Sequence, residues 1–376
     1  MIYFDNAATT KVCPEALEKM DEFNGEFYFN PSSLYLPAVQ NAKTILETKD
    51  LLKKNLGANQ SNTVVFTASA TEANNLLILG AVRNHWKQLL FSQGEHPSVY
   101  NVAIHLKEKG FDVKFVPLQK SGEIDYDMLE VMLKEKETSF ISIMAVNNET
   151  GAKNDLKKIA RLRDAFATSA IFHSDFVQAF GKIAVNMEEF GVDACTISAH
   201  KIYGPKGIGA LCFNQKVKVL PIMFGGGQEN NLRSGTENVG YIMALNAILK
   251  NKFDVDKNFS KVMEIRNLFL KELIEGQVPF EINGGNCSPY VLSLSLAFVR
   301  GETMQNALEE QGVLVSTGSA CSSKKVGNRI LEAMGQKNII GSVRISFSIN
   351  NTFDEAKSGG KIFVDCYNTL ISKLKG

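Results

Sequence analysis

The sequence predicts an α/β protein in which a large domain with a mostly parallel sheet is joined to a smaller α+β domain. Between residues 63 and 213, short β-rich runs alternate with amphipathic stretches, a pattern typical of parallel strands covered by helices on both faces. After residue 249 the pattern changes, because a charged linker leads into one long amphipathic segment. The chain has 376 residues, which is more than one compact core usually holds.

We therefore predict a large domain over residues 13–249 and a small domain made of residues 1–12 and 250–376. Ligands of open parallel sheets collect beyond the carboxyl ends of the strands, so we expect the functional residues there. The strands predicted for the large domain are 64–67, 89–92, 113–118, 140–146, 170–175, 195–199 and 209–213. The helices predicted between them include 97–109, 126–136 and 156–167.

The small domain is predicted from a second set of alternating segments. A long helix ends near Gly276, and the last helix covers about 353–374. Gly359 and Gly360 weaken the prediction that this last helix is continuous, because glycine is unfavourable inside helices. The remaining predicted elements are strands 279–282, 291–298 and 343–349 and a helix over 303–311.

Composition excludes several classes of function. The 41 basic residues nearly balance the 40 acidic ones, which argues against an extended nucleic-acid or anionic-membrane surface. No apolar run approaches the ~20 residues that a spanning helix needs, and the first residues lack the features of a secretory signal. The six cysteines form no C-x-x-C pair and suit neither a disulfide framework nor a zinc site, so we expect a reducing cytoplasm and no metal.

Lys201 lies in the most informative stretch, the loop over residues 198–209, which follows a predicted strand and is rich in glycine. A lysine held there with a depressed pKa can form a Schiff base with an aldehyde cofactor. Taken alone, Lys201 would be interpreted as an exposed residue of a turn.

Two upstream features fit such a cofactor. Asp175 ends another predicted strand and could keep a pyridinium nitrogen protonated, although an aspartate there is also an ordinary helix cap. Residues 66–72 run from a strand into a helix, whose free N–H groups would suit a phosphate. A plain cap is again the alternative.

Cys321 differs from the cysteines inside strands. It lies among small polar residues at 316–323 and is followed by Lys324 and Lys325, so we expect an exposed loop and a favoured thiolate. Cys195 and Cys212, in contrast, lie within apolar runs. We interpret Cys321 as a nucleophile.

Taken in order, these residues resemble the NifS/IscS-type cysteine desulfurases, which are pyridoxal-phosphate (PLP) enzymes of fold type I in the class V aminotransferase group. The resemblance covers nearly the whole chain. The matching blocks are 3–10, 70–72, 95–96, 146–151, 175 with 178, 198–209, 225–229, 232–236, 318–321 and 343–346.

The resemblance implies roles for the residues around the cofactor ring. Lys201 would carry the PLP and transfer a proton, and Asp175 would pair with the pyridine nitrogen. His96 would stack on the ring as a catalytic residue, while Gln178 and Asn148 would contact its hydroxyl side.

It also implies the phosphate and substrate contacts. The phosphate would be held by the backbone of Ala70 and by Thr71, Ser198 and His200. Thr236 would reach the phosphate of a neighbouring subunit, which implies a homodimer. Arg344, with Asn148 beside it, would bind the substrate carboxylate.

The reaction implied is removal of sulfur from L-cysteine, giving L-alanine and a persulfide on Cys321 that passes to a sulfur-acceptor protein such as an iron–sulfur scaffold. Tyr35 stands near a position where relatives carry histidine. The segment between Cys321 and Arg344 is a few residues shorter than in typical relatives, which bears on the choice of acceptor.

Three alternatives remain at this point. A selenocysteine lyase, or another class V lyase or aminotransferase, would not need the Cys321 thiol. A non-catalytic scaffold would not need Lys201, Asp175 or Arg344. A nucleotide-binding enzyme could use the glycines at 225–227, but no strand–GxGxxG–helix context surrounds them.

Overall fold

The computed structural model describes residues 1–250, 254–317, 328–336 and 340–375. The strands within these ranges are β1 (Ile2–Tyr3), β2 (Thr63–Thr67), β3 (Gln88–Ser92), β4 (Val113–Val116), β5 (Thr138–Ser142), β6 (Ile171–Asp175), β7 (Ala194–Ser198), β8 (Gly209–Phe213), β9 (Phe280–Ile282), β10 (Val291–Leu296), β11 (Val313–Leu314) and β12 (Ser342–Ser346). The helices are α1 (Pro14–Gly25), α2 (Leu36–Leu56), α3 (Ala70–Ala81), α4 (Pro97–Glu108), α5 (Tyr126–Glu135), α6 (Leu156–Phe166), α7 (Val239–Lys250), α8 (Val255–Glu275), α9 (Gly301–Glu310), α10 (Arg329–Ala333) and α11 (Phe353–Lys375).

A seven-stranded sheet, in the order β2-β8-β7-β6-β5-β3-β4, forms the centre of the larger part. Strands β4, β3, β5, β6 and β7 are parallel to one another, whereas β8 is antiparallel to both β7 and β2. Apolar side chains fill both faces of the sheet, and two separate hydrophobic clusters result. The predicted α/β class and mostly parallel sheet are confirmed.

Helix starts follow directly from local sequence. Ser69, Asp125 and Asp155 each accept a backbone N–H of the helix that follows, as expected of N-cap residues. Helix α3 therefore begins just after β2 ends, at the helix-entry turn predicted over residues 66–72, whereas longer connections precede α5 and α6. Strand 140–146 was predicted too long, because β5 ends at Ser142 and residues 143–146 instead form irregular buried backbone.

A three-stranded antiparallel sheet, in the order β12-β10-β9, organises the second part. It shares one hydrophobic cluster with α8, α9 and α11, and the rings of Phe4, Phe269, Phe347 and Phe363 lie at the centre of that cluster. Strand β1 pairs in parallel with β11, which attaches the start of the chain to this part. Helix α10 instead buries Ile330 and Leu331 in the cluster beside the large sheet. The exact division into domains stays a prediction.

Helix α11 is continuous through Gly359 and Gly360, contrary to the weakness expected there. A Cβ on Gly359 would lie 2.5 Å from Cε2 of Phe4, and a Cβ on Gly360 would lie 2.7 Å from Cβ of Glu272. The glycines therefore allow the helix to approach its neighbours closely, and the packing offsets their low helix propensity.

None of the helices in the described ranges is both long enough and apolar enough to cross a membrane.

Candidate active site

A cavity of about 280 Å³ opens beyond the carboxyl ends of β6 and β7. The structure brings most of the predicted site residues together on its wall. Its lining includes Ala70, Thr71, His96, Asn148, Asp175, Gln178, Ser198, His200, Lys201 and Arg344.

Lys201 lies in the short turn that follows β7. Its Nζ donates hydrogen bonds to the carbonyl oxygens of Ala7 and Ala8, both at 2.6 Å. Burial, together with the positive charge of Arg344, lowers the pKa of Lys201 from 10.5 to about 8. The neutral fraction of the amine near pH 7 is therefore far larger than for a free lysine, and the neutral amine is the nucleophile that attacks an aldehyde.

Asp175, the last residue of β6, is buried with its carboxylate held on both oxygens. Its Oδ1 accepts from the backbone N–H of Val177 at 2.9 Å, and its Oδ2 accepts from Nδ2 of Asn74 at 3.0 Å. Asn74 in turn accepts from Oγ1 of Thr196 at 2.8 Å and donates to Oγ of Ser98 at 2.9 Å. The carboxylate is thus fixed in one orientation at the cavity wall.

The two predicted histidines are both held in place by hydroxyl groups. His96 is the N-cap of α4, and its Nδ1 lies 2.8 Å from Oγ of Ser98. Burial lowers the pKa of His96, although the Asp175 charge opposes that shift. Nδ1 of His200 lies 3.2 Å from Oγ1 of Thr9, and burial followed by the Lys201 charge lowers its pKa to about 4. Both imidazole rings are therefore mostly neutral at pH 7.

The start of α3 supplies the predicted phosphate turn. Ser69 caps the helix by accepting from the N–H of Glu72, while the N–H groups of Ala70 and Thr71 belong to the first turn, where intrahelical acceptors are missing. Ser198 lies opposite Gly209 in the β7–β8 ladder. A Cβ on Gly209 would lie 2.9 Å from the nitrogen of Ala70, so glycine is required for this close approach.

Arg344 is buried, and its guanidinium is partly engaged. Its Nη2 donates to Oδ1 of Asp5 at 2.9 Å and its Nη1 donates to the carbonyl oxygen of Asn148 at 3.0 Å. Its Nε has no partner among the described residues. Asn148 uses its own amide to donate to Oε1 of Glu149 at 3.1 Å. The guanidinium therefore lies at the cavity wall, and its Nε donor is not engaged by any described residue.

Thr236 lies outside this cavity in the single chain. It lines a second cavity of about 220 Å³, together with Thr67, Ala68 and Arg233. Arg233 donates through Nε to Oε1 of Glu72 at 2.7 Å, which ties the Thr236 loop to the first turn of α3. A contact of Thr236 with a neighbouring subunit's phosphate stays a prediction.

Cys321 lies outside the described residues, but both flanks of its segment are described. Ser316 pairs with Arg344 through two backbone hydrogen bonds of 3.1 and 2.6 Å. On the other side, Arg329 donates to the carbonyl oxygens of Gln93 and Glu95, and its guanidinium lies 3.9 Å from the Tyr100 ring centroid. Each flank is thus attached beside a cavity residue, Arg344 in one case and His96 in the other.

Sequence reasoning missed Asn74 and Asp5 as supports of the site. Asn74 is fully buried inside α3, and an asparagine in a helix interior is a detectable signal because asparagine favours caps and turns. Asp5 was part of a matching block, but its pairing with Arg344 joins residues 339 positions apart and left no local pattern.

Comparisons with known proteins identify the family of this chain. A profile of the family described as Aminotransferase class-V matches residues 2–358. The cysteine desulfurase IscS of Dictyoglomus turgidum is 35% identical over 383 residues, which span 100% of this chain and 95% of that protein. The chain belongs to the cysteine desulfurases of the class-V aminotransferase family.

Two solved structures extend the likeness of this cysteine desulfurase to three dimensions. A chain described as a NifS-like protein superposes with a TM-score of 0.90 at 31% identity, covering 99% of both chains. A structure described as SspA in complex with cysteine gives a TM-score of 0.81 at 28% identity, covering 94% of this chain and 100% of that one. The predicted resemblance and the predicted fold type are therefore confirmed.

Proposed function

We propose that this protein is a PLP-dependent desulfurase that acts on L-cysteine and releases L-alanine, with the sulfur first captured on Cys321. The observation that carries the proposal is the convergence of Lys201, Asp175 and Arg344 on one cavity. The three supply a nucleophilic amine, a fixed carboxylate and a carboxylate-binding guanidinium, and the relatives named above are cysteine desulfurases.

The residues present fit PLP. The cavity lies at the lower end of the sizes typical of ligand pockets, about 300 Å³ and above. The lysine amine of Lys201 matches the aldehyde, and the buried carboxylate of Asp175 matches the ring nitrogen. The start of α3, with its free N–H groups, matches the phosphate. When bound, PLP supplies an electron sink for the bonds of the substrate α-carbon.

The chain's own residues hold and orient the reactants. Lys201 would hold the cofactor and, once released by substrate, carry a proton at Nζ. Asp175 would keep the ring nitrogen protonated, and its bond from Asn74 prevents the carboxylate from turning away. Arg344 would bind the substrate carboxylate through donors not engaged by Asp5 or Asn148.

Cys321 would complete the reaction as a thiolate that attacks the sulfur of the bound cysteine. A new S–S bond forms while the substrate C–S bond breaks, and its electron pair stays with the carbon fragment, which takes up protons and leaves as alanine. The protein keeps a persulfide. Ser316, five positions before Cys321 in the sequence, pairs with Arg344 at the cavity wall, which supports a role for this segment of the chain in the reaction.

A homodimer, an acceptor protein and a cytoplasmic setting complete the proposal. Exposed apolar side chains at Leu220, Met223 and Phe224 precede the Thr236 loop and would suit burial against a second subunit. The persulfide would pass to an acceptor such as an iron–sulfur scaffold. The six cysteines form no C-x-x-C pair and suit no disulfide framework, which supports a reducing cytoplasm.

The test is an assay of purified protein for a yellow PLP band and for alanine and sulfide produced from L-cysteine. We expect Lys201→Ala to lose the band and Cys321→Ser to keep the band but lose alanine formation. Turnover that survives in Cys321→Ser would instead favour a lyase or selenocysteine lyase. A wild-type protein that cannot be loaded with PLP would refute the whole proposal.

A further inference from the structure

Lys182 is a buried lysine that the proposed chemistry does not use. It follows β6 by seven positions, and only 4% of its surface is exposed. Its Nζ donates a hydrogen bond of 2.6 Å to Oε1 of Gln178. Within the described residues no acidic side chain pairs with it, and its Nζ lies 5.8 Å from the centroid of the Tyr290 ring. Burying an ammonium group without a counter-ion costs free energy, so we expect Lys182 to have a specific role.

Gln178 links Lys182 to the cavity. Its Nε2 donates to the carbonyl oxygen of Ala7 at 3.0 Å, and the same oxygen accepts from Nζ of Lys201 at 2.6 Å. A protonated lysine can only donate and a carbonyl can only accept, so these two partners fix which end of the amide is oxygen and which is nitrogen. Gln178 lines the cavity, whereas Lys182 lies behind it.

We propose that Lys182 is a positioning residue that holds the Gln178 amide with its N–H side toward the cavity and so makes Gln178 a donor to an anionic oxygen of the bound cofactor. The inference rests on the proposed function, because the oxygen in question is the ring hydroxyl of PLP. Nε2 carries two N–H groups, and the bond to Ala7 uses one of them. A cation at Oε1 polarises the amide and strengthens the N–H donor at its other end.

The charges around Lys182 support this arrangement. The charged groups that act on it are both cations, Lys201 and Arg344, and Tyr290 contributes a neutral ring from β10. Burial and these two charges lower the pKa of Lys182 to about 7. A neutral amine can accept as well as donate, so Lys182 without its proton would no longer dictate which end of the Gln178 amide faces it. The donor role of Gln178 is therefore strongest below about pH 7.

The first experiment uses the cofactor-free protein labelled with ¹⁵N-glutamine, with the Gln178 amide signal assigned by Gln178→Leu. We expect a shifted, slowly exchanging side-chain amide pair in the wild type and in Lys182→Arg. In Lys182→Met, the pair should move toward the position of a free glutamine and exchange faster, because only the bond to Ala7 remains. An unchanged Gln178 signal in Lys182→Met would overturn the proposal, whether or not the protein proves to be a desulfurase.

The second experiment compares the binding of PLP and of 3-deoxypyridoxal 5′-phosphate, which lacks the ring hydroxyl. Lys182→Met should weaken PLP binding by about fivefold, which corresponds to one hydrogen bond, and leave binding of the deoxy compound unchanged. The pH midpoint of the visible PLP band should rise by about 0.5–1 pH unit, because the anionic oxygen loses stabilisation. Equal weakening for both compounds would mean that Lys182 is merely structural. Neither experiment measures turnover, so both can be interpreted even if the protein proves not to be a desulfurase. The proposal for Lys182 and the proposed function can therefore fail independently.

Discussion

Asn74 donates its side-chain N–H to Oδ2 of Asp175 at 3.0 Å and thereby joins helix α3 to the end of strand β6. The asparagine is fully buried and also bonds to Thr196 and Ser98. The carboxylate expected to contact the cofactor ring is therefore held by the same helix whose first turn is expected to bind the phosphate. A change at Asn74 should affect both stability and cofactor binding.

We expect Asn74→Ala to lower the free energy of unfolding by about 1–3 kcal/mol, because it leaves buried partners without hydrogen bonds. PLP affinity should fall as well. Urea unfolding of the cofactor-free protein and a PLP titration measure the two effects. Asn75→Ala is the matched control, since Asn75 is less buried and, among the described residues, its amide bonds only to the carbonyl oxygen of Thr71. Equal effects of the two changes would contradict this role for Asn74.

The pKa of Lys201 predicts how cofactor capture depends on pH. The neutral amine is the reactive form, so the rate of covalent PLP attachment should rise with pH and level off above about 8. The Arg344 charge lowers this pKa and the Asp5 charge raises it. Arg344→Gln should therefore move the midpoint to higher pH, and Asp5→Asn should move it to lower pH.

Borohydride trapping of the attached cofactor at a series of pH values measures this midpoint. Lys206→Gln serves as a control in the same loop, since Lys206 is exposed and does not contribute to the Lys201 shift. Midpoints that move together, or in the reverse order, would show that Arg344 and Asp5 do not act on the amine by charge.

Gly359→Ala should destabilise the protein by about 1–3 kcal/mol, although alanine favours helices. The added Cβ would lie 2.5 Å from Cε2 of Phe4, and that ring is locked between Phe269 and Phe347. Gly25→Ala at the exposed end of α1 is the control, because a Cβ there meets nothing within 4 Å. Thermal unfolding should show opposite signs for the two variants, and a stabilised Gly359→Ala would refute the close packing.

Arg329→Lys should slow persulfide formation by about tenfold while the PLP band is kept. A lysine cannot reproduce the fork that contacts the carbonyl oxygens of Gln93 and Glu95, nor the stacking on Tyr100. A single-turnover measurement of alanine release gives the rate, and Arg300→Lys at an exposed position is the control. An unchanged rate in Arg329→Lys would mean that the contacts of Arg329 with Gln93, Glu95 and Tyr100 do not affect sulfur transfer to Cys321.

Much of the fold could be predicted because local pattern dictates it. Strand β8 has the predicted ends, and the helix predicted over 156–167 begins at Leu156 as expected. The end of β5 could not be predicted, because residues 143–146 are as apolar as the strand itself and only tertiary contacts end the ladder. The continuity of α11 depended on Phe4, more than 350 positions away.

The same limit applied to the site. Residues that touch the cavity stood in motifs whose chemistry can be recognised one by one, as with Lys201 and its loop. Supports such as Asn74, Asp5 and Lys182 act through another side chain, and their partners are set by the fold. No local sequence pattern identifies those partners.

The position of the first residues determines when the site can exist. Ser346 binds Phe4 through its N–H at 2.7 Å and contacts the backbone N–H of Ala7 through Oγ at 2.8 Å. During synthesis, residues 4–8 emerge long before residue 346, so they must wait for nearly the whole chain before Ala7, Ala8 and Asp5 take their places. A nascent chain arrested before β12 would therefore contain Lys201 without the Ser346 contacts that hold Phe4 and Ala7, so we expect cofactor capture only after β12 has been synthesised.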